Sequence, residues 1–180
     1  MVLKNYSEEQ VSKAKNIKMI ICDVDGVLTS GEIIYDNHQN EFKKFNVKDG
    51  LIVKHLRKNN IIIGVITGRE SEVVKRRCEE LKLDFHFHGI KDKRQKYQHV
   101  LTRFNVSDSE VCYIGDDLND LPLIKSCSLG VCPADAPHYV SEHAQLISRK
   151  KGGEGVLREA GDLILDAQGN LESTIEEYLT

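Results

Sequence analysis

Short runs of consecutive apolar residues alternate along the chain with longer stretches of helical pattern. The runs are 18–22 (KMIIC), 61–66 (IIIGVI), 84–87 (DFHF), 111–114 (VCYI), 128–132 (SLGVC) and 144–147 (AQLI). Segments apolar throughout suit strands buried on both faces, as in a parallel sheet. Helices are predicted over Lys48–Asn59, Glu70–Leu81, Asp92–Phe104, Leu118–Ser126 and Glu154–Ala167, and a serine at 107 or 109 is placed to cap a short turn. Strands alternating with helices imply an α/β fold, a Rossmann-like three-layer sandwich around a central parallel sheet.

One segment breaks the alternation. Glu32–Tyr35 and Glu41–Phe45 are strand-like pieces around a turn-rich centre, Asp36-Asn37-His38-Gln39-Asn40. They predict a β-hairpin lying over the carboxyl end of the first strand. In an open α/β sheet that end is where ligands bind. The whole chain, 1–180, reads as one domain, with a hairpin flap at about 30–46 and a glycine-rich tail with its helix at about 150–180.

Composition narrows the function. Lys plus Arg is 25 and Asp plus Glu 28, a net charge of −3, without the basic excess of a nucleic-acid or membrane binder. No apolar run reaches the roughly 18 residues that a bilayer span needs. The opening MVLKNYSEEQVSKAKN is polar and unlike a secretory leader, so a cytosolic location is expected. Five cysteines, with no C-x-x-C pair, read as buried thiols in a reducing compartment.

The polar residues then fall into place. Cys22-Asp23-Val24-Asp25-Gly26 ends the first strand, and Ile66-Thr67-Gly68-Arg69 ends the second. Lys93 opens the helix after the third, and Gly115-Asp116-Asp117-Leu118-Asn119-Asp120 follows the fourth. All lie at the carboxyl ends of predicted parallel strands, where one pocket can gather them. Asp23 and Asp116 on adjacent strands would repel without a cation, and magnesium suits an all-oxygen site that also admits a phosphate. Lys93 and Thr67 complete a clamp for a phosphoryl group. A carboxylate in line with the clamped phosphorus is a nucleophile, and Asp25, on the same side of the extended chain, can act as acid and base. Taken alone, D-x-D is common, and D-D-x-N-D is equally a charged helix N-terminus. The conjunction of four clusters carries the reading.

These residues resemble the motifs of the haloacid dehalogenase superfamily, in order: Asp23-Val24-Asp25-Gly26, Thr67, Lys93, and Gly115-Asp116-Asp117 with Asp120. The resemblance implies Asp23 as nucleophile and Asp25 as general acid and base. It implies magnesium on Asp23, the backbone carbonyl of Asp25, and Asp116, with Asp117 and Asp120 supporting the metal's surroundings. With only a short hairpin after the first motif, the chain is similar to the capless branch and to its sugar-acid phosphate phosphatases from about Ile17 to Gln168. The carrying segments are DVDGVLTSG, KKFNVKDG, ITGRESEVVKRR, GDDLNDLP and GGEGVLRE. The implied substrate is 3-deoxy-D-manno-octulosonate 8-phosphate. The alternative is a 2-keto-3-deoxy nonulosonate 9-phosphate, disfavoured by Arg69 where that group tends to have Glu. The implied assembly is a homotetramer whose neighbouring subunits complete the pocket. Substrate contacts implied by the resemblance are Asp25, Asn46, Val47, Lys48, Asp49, Gly50, Lys54, Arg69, Arg77 and Lys93. Arg suits a substrate carrying both carboxylate and phosphate, although Arg76 and Arg77 equally fit a solvated helix face.

A phospho-accepting receiver-like signalling module is the non-enzymatic alternative. Its acidic pair, phosphorylated Asp, Thr and Lys come in a different order, and it has no counterpart of Asp25. Two weaker signals remain. Gly152-Gly153-Glu154-Gly155 is read either as a hinge or as a tail reaching an adjacent site. His86 and His88 share a strand face, but two histidines without a third ligand are more often packing residues than a zinc site.

Overall fold

The structure, a computed structural model, describes residues 2–179. Helix α1 (Glu8–Lys15) precedes strand β1 (Met19–Cys22), and a hairpin of β2 (Ile34–Tyr35) and β3 (Glu41–Phe42) follows. Next come α2 (Val47–Lys58), β4 (Ile62–Ile66), α3 (Glu72–Glu80), β5 (Phe85–Phe87) and α4 (Lys93–Phe104). The chain continues through β6 (Val111–Ile114), α5 (Leu121–Ser126), β7 (Leu129–Cys132), α6 (His138–Ser141), β8 (Leu146–Ile147), α7 (Val156–Ala167) and α8 (Leu171–Glu176). Helix α1 begins at a capping box between Ser7 and Gln10, and Asn46, Ser71 and Asp92 cap α2, α3 and α4 with their side chains.

Six strands form one parallel sheet in the order β5-β4-β1-β6-β7-β8. The six predicted runs are these six strands. Helices α1, α6 and α8 were not anticipated: α1 offers few apolar residues, and α6 is a single turn of four. Helix α5 starts at Leu121 rather than Leu118, because Asp116–Asp120 forms a loop closed by the Asp120 carboxylate.

Strand alternation divides the core into two layers. Ile20 and Cys22 face α2 and α7 with Ile52, Leu56, Leu157 and Ile164. Met19 and Ile21 face α4 and α5 with Tyr97, Val100, Leu101 and Leu123. Such burial, at about 25 cal/mol per Å² of apolar surface, holds the sheet rigid beneath its rim.

Register places that rim. Cys22 pairs with Val65 on one side and Ile114 on the other. The ladder runs one step further, where Asp23 N–H donates to Ile114 O at 2.8 Å and Thr67 N–H to Phe87 O at 2.9 Å. After β1 the chain adds β4 and β5 on one side and then returns to add β6 on the other. The crevice at that reversal is the usual ligand site of such sheets.

Candidate active site

Asp23 stands at this crevice, 6% exposed, with the Lys93 ammonium 3.1 Å from its Oδ1. That oxygen is buried and has no hydrogen-bond partner. Burial and the neighbouring Asp120 raise the Asp23 carboxyl, with Lys93 opposing them. Asp116, across the crevice on the β6 side, is pushed up to about 8 by burial, then by Asp23 and the other nearby aspartates. Carboxylates of Asp23, Asp116 and Asp120 offer oxygens within 4.8 Å of one another. Gly26, at φ +87°, lets the turn after β1 pass under Asp116: a Cβ there would sit 1.9 Å from Oδ2. Crowded, desolvated carboxylates with an unbonded oxygen are a donor set that a hard divalent cation fits.

Asp120 organises the loop. It is fully buried and accepts from Lys93 Nζ at 2.7 Å, Tyr113 Oη at 2.6 Å and the backbone N–H of Asp116 at 3.1 Å. Asp117 is exposed and instead accepts from Tyr139 Oη at 3.1 Å. Thr67 is 2% exposed at the end of β4, and its backbone N–H and C=O are engaged by Phe87 and Ile90. An open depression of about 320 Å³ lies beside Gly26 and Asp116, bordered by Ser30, Glu32 and Asp135. A larger cavity, about 790 Å³, opens at the opposite, amino ends of the central strands around Lys18, Ile61 and Glu110, away from these carboxylates.

Asp25 projects toward the hairpin, where Lys43 is ion-paired to its Oδ1 and Arg69 Nη1 lies 4.0 Å from Oδ2. Arg69 also donates to Tyr35 Oη and Glu41 Oε1, both at 3.2 Å, and its buried Nη1 has no hydrogen bond. Lys43 was missed as a site residue. It stands in the KKFNVKDG segment, but only the fold of the hairpin turns its side chain inward, where it is wholly buried.

The structure brings Asp23, Asp25, Thr67, Arg69, Lys93, Asp116 and Asp120 to one rim. The other expected contacts lie at the start of α2, along it, and on α3. Asn46 caps α2 and donates to Gly153 O at 3.4 Å. Asp49 is buried and accepts the backbone N–H of Arg158 at 2.8 Å, which ties α2 to the first turn of α7, while its Oδ2 is buried without a hydrogen-bond partner. Burial pushes the Asp49 carboxyl up to about 6. Gly50 faces Arg77, which a Cβ would meet at 2.7 Å, and Arg77 turns to Glu80 and the Phe45 ring. Val47, Lys48 and Lys54 are exposed along α2. The glycine-rich tail folds over its own chain: Gly153 N–H donates to Val27 O at 2.9 Å, and Gly152 packs against the Gly26 carbonyl.

Comparison with known proteins agrees with this geometry. A family profile described as haloacid dehalogenase-like hydrolase matches residues 87–159. The chain is 38% identical to the 3-deoxy-D-manno-octulosonate 8-phosphate phosphatase KdsC of Yersinia pestis, over 92% of this chain and 89% of that one. It is 39% identical to the Haemophilus influenzae protein of the same name, over 87% of each. A crystal structure of the Moraxella catarrhalis phosphatase, in complex with magnesium, phosphate and KDO, superposes with a TM-score of 0.93 at 36% identity. That match covers 96% of this chain and 99% of the other.

Proposed function

The chain belongs to the haloacid dehalogenase-like hydrolases, and on that footing we propose that it is a magnesium-dependent phosphomonoesterase hydrolysing 3-deoxy-D-manno-octulosonate 8-phosphate to the free sugar acid and phosphate. The observation that carries the reading is Asp23 Oδ1: buried, free of hydrogen bonds, and beside Lys93 at the end of the central strand.

In this proposal Asp23, Asp116 and the backbone carbonyl of Asp25 hold the metal. When bound, magnesium supplies positive charge that offsets the carboxylates and the phosphate. Lys93 and Thr67 hold the phosphoryl oxygens. Asp23 attacks phosphorus, the bond from phosphorus to the sugar oxygen breaks, and Asp25 gives its proton to the departing alkoxide. The product on the enzyme is an aspartyl phosphate. Asp25 then takes a proton from water as that water attacks phosphorus, which frees Asp23 and releases inorganic phosphate. Arg69, with an unbonded nitrogen facing the rim, suits the substrate carboxylate.

A homotetramer and a cytosolic location belong to the same proposal. Ile33, Ile34, Tyr35 and Phe42 of the hairpin are about half exposed, an apolar surface that a neighbouring subunit would cover. The five cysteines are buried and unpaired.

The test is phosphate release from sugar-acid phosphates with and without magnesium, comparing the native chain with Asp23→Asn. The amide keeps the shape but is no nucleophile, so turnover falls to background while the circular-dichroism spectrum is unchanged. Substantial residual turnover by Asp23→Asn removes Asp23 from its role.

A further inference from the structure

His86 and His88 stand two residues apart on the edge strand β5 and just beyond it, so both project from the same face of the sheet. That face is the one covered by α3. From α3, Cys78 points inward, 3% exposed. The fold thereby supplies the third ligand that the sequence lacked. One donor atom each from Cys78, His86 and His88 lies within 4.8 Å of the others. The two imidazoles meet directly, His86 Nδ1 to His88 Nε2 at 2.8 Å, and the other ring nitrogen of His88 is buried with no hydrogen-bond partner.

We propose that Cys78, His86 and His88 form a second metal site, one that takes a zinc-class divalent ion and not magnesium. A thiolate and two imidazoles are the ligands that zinc prefers, whereas magnesium selects the oxygen donors of Asp23 and Asp116. Zinc–nitrogen bonds of about 2.0–2.1 Å in a tetrahedral shell place two nitrogens about 3.3 Å apart. The rings therefore separate by about half an ångström, within the reach of side-chain rotation. The fourth position falls to water or to Glu70, whose Oε2 lies beside Gly89 next to His88. Binding forms a bond to the Cys78 thiolate and releases the thiol proton to solvent. The ion then ties the edge strand to α3, which begins just beyond Arg69.

Cobalt(II) is the probe, because it reports sulfur ligation in its absorption spectrum. Titrating it into the magnesium-saturated native chain gives a sulfur-to-cobalt charge-transfer band that saturates at one equivalent. Added zinc bleaches the band and raises the melting temperature. Cys78→Ala, which leaves no buried hydroxyl, loses both responses, and His88→Ala weakens binding at least about tenfold. An oxygen-only site gives no such band, so cobalt at Asp23 and Asp116 does not mimic the result. A native chain without the band, or a band that survives in Cys78→Ala, overturns the proposal. His88→Ala keeps the question open to test should Cys78→Ala fail to fold.

Discussion

Lys93 Nζ lies 2.7 Å from Oδ1 of Asp120 and 3.1 Å from Oδ1 of Asp23, so one buried carboxylate aims the ammonium at another. The second oxygen of Asp120 accepts backbone N–H groups from Asp116 and Asp117 at 3.1 and 3.4 Å. Asp120 therefore sets two parts of the rim together: the direction of the lysine and the course of the loop that carries Asp116.

Asp120→Asn tests this positioning. The amide keeps the shape but removes the charge opposite Lys93 and presents a donor where donors already converge. Breaking a buried ion pair on one side costs about 3 kcal/mol or more. Urea unfolding should show a loss of that order, and kcat should fall further than KM rises. A stability change below about 1 kcal/mol with unaltered kcat would refute the assignment.

The pairing of Lys43 with Asp25 ties the hairpin to the loop after β1. Lys43→Met retains the apolar stem and removes the charge. Without it the Asp25 side chain loses its orientation, and kcat should drop by about ten- to a hundredfold, or roughly 1.4–2.8 kcal/mol of barrier. Steady-state kinetics decide the matter. Equal kcat in the two proteins would make Lys43 a strut of the hairpin alone.

Asp49 gives a pH dependence of defined sign. Burial raises its carboxyl to about 6 in the folded state, above the ordinary value of 3.8. The folded chain thus holds this proton more tightly than the unfolded chain. The contribution to stability is complete below about pH 4 and is lost as pH rises through about 6, amounting to roughly 2–3 kcal/mol. Asp49→Asn cannot titrate, so denaturation midpoints measured between pH 4 and 7 should fall less steeply than those of the native chain. Parallel curves for the two proteins would contradict the prediction.

Asp116 links metal binding to pH. With its carboxyl pushed up to about 8, Asp116 holds a proton at neutral pH, and a metal bound there as proposed would displace it. Apparent magnesium affinity should rise as pH climbs from 6 toward 8 and then level off. Calorimetry in buffers of different ionisation enthalpy reads the released proton directly. Affinity independent of pH over this range would show that Asp116 is already ionised.

Much of this was legible in the chain itself, for identifiable reasons. Strands buried on both faces leave continuous apolar runs, so all six strands of the sheet were read near their true bounds. Asp23, Thr67 and Asp116 follow directly from strand ends, where a single register rule places them at one rim. Lys43 and Asp49 were not legible in this way. Both sit in one short basic and acidic segment, and nothing local separates an inward lysine from an outward one. The pairing of β2 with β3 turns Lys43 onto Asp25, and the packing of α2 on α7 turns Asp49 onto Arg158.

By itself the sequence determined the alternation of strands and helices, the order of the motifs and the chemical types gathered for phosphoryl transfer, because these depend on local periodicity and residue identity. Tertiary structure alone decided which carboxylates crowd together in the crevice, which aims a lysine and which accepts from the first turn of a helix. Those roles depend on distances between residues as far apart as 49 and 158, and such distances exist only once the layers have packed.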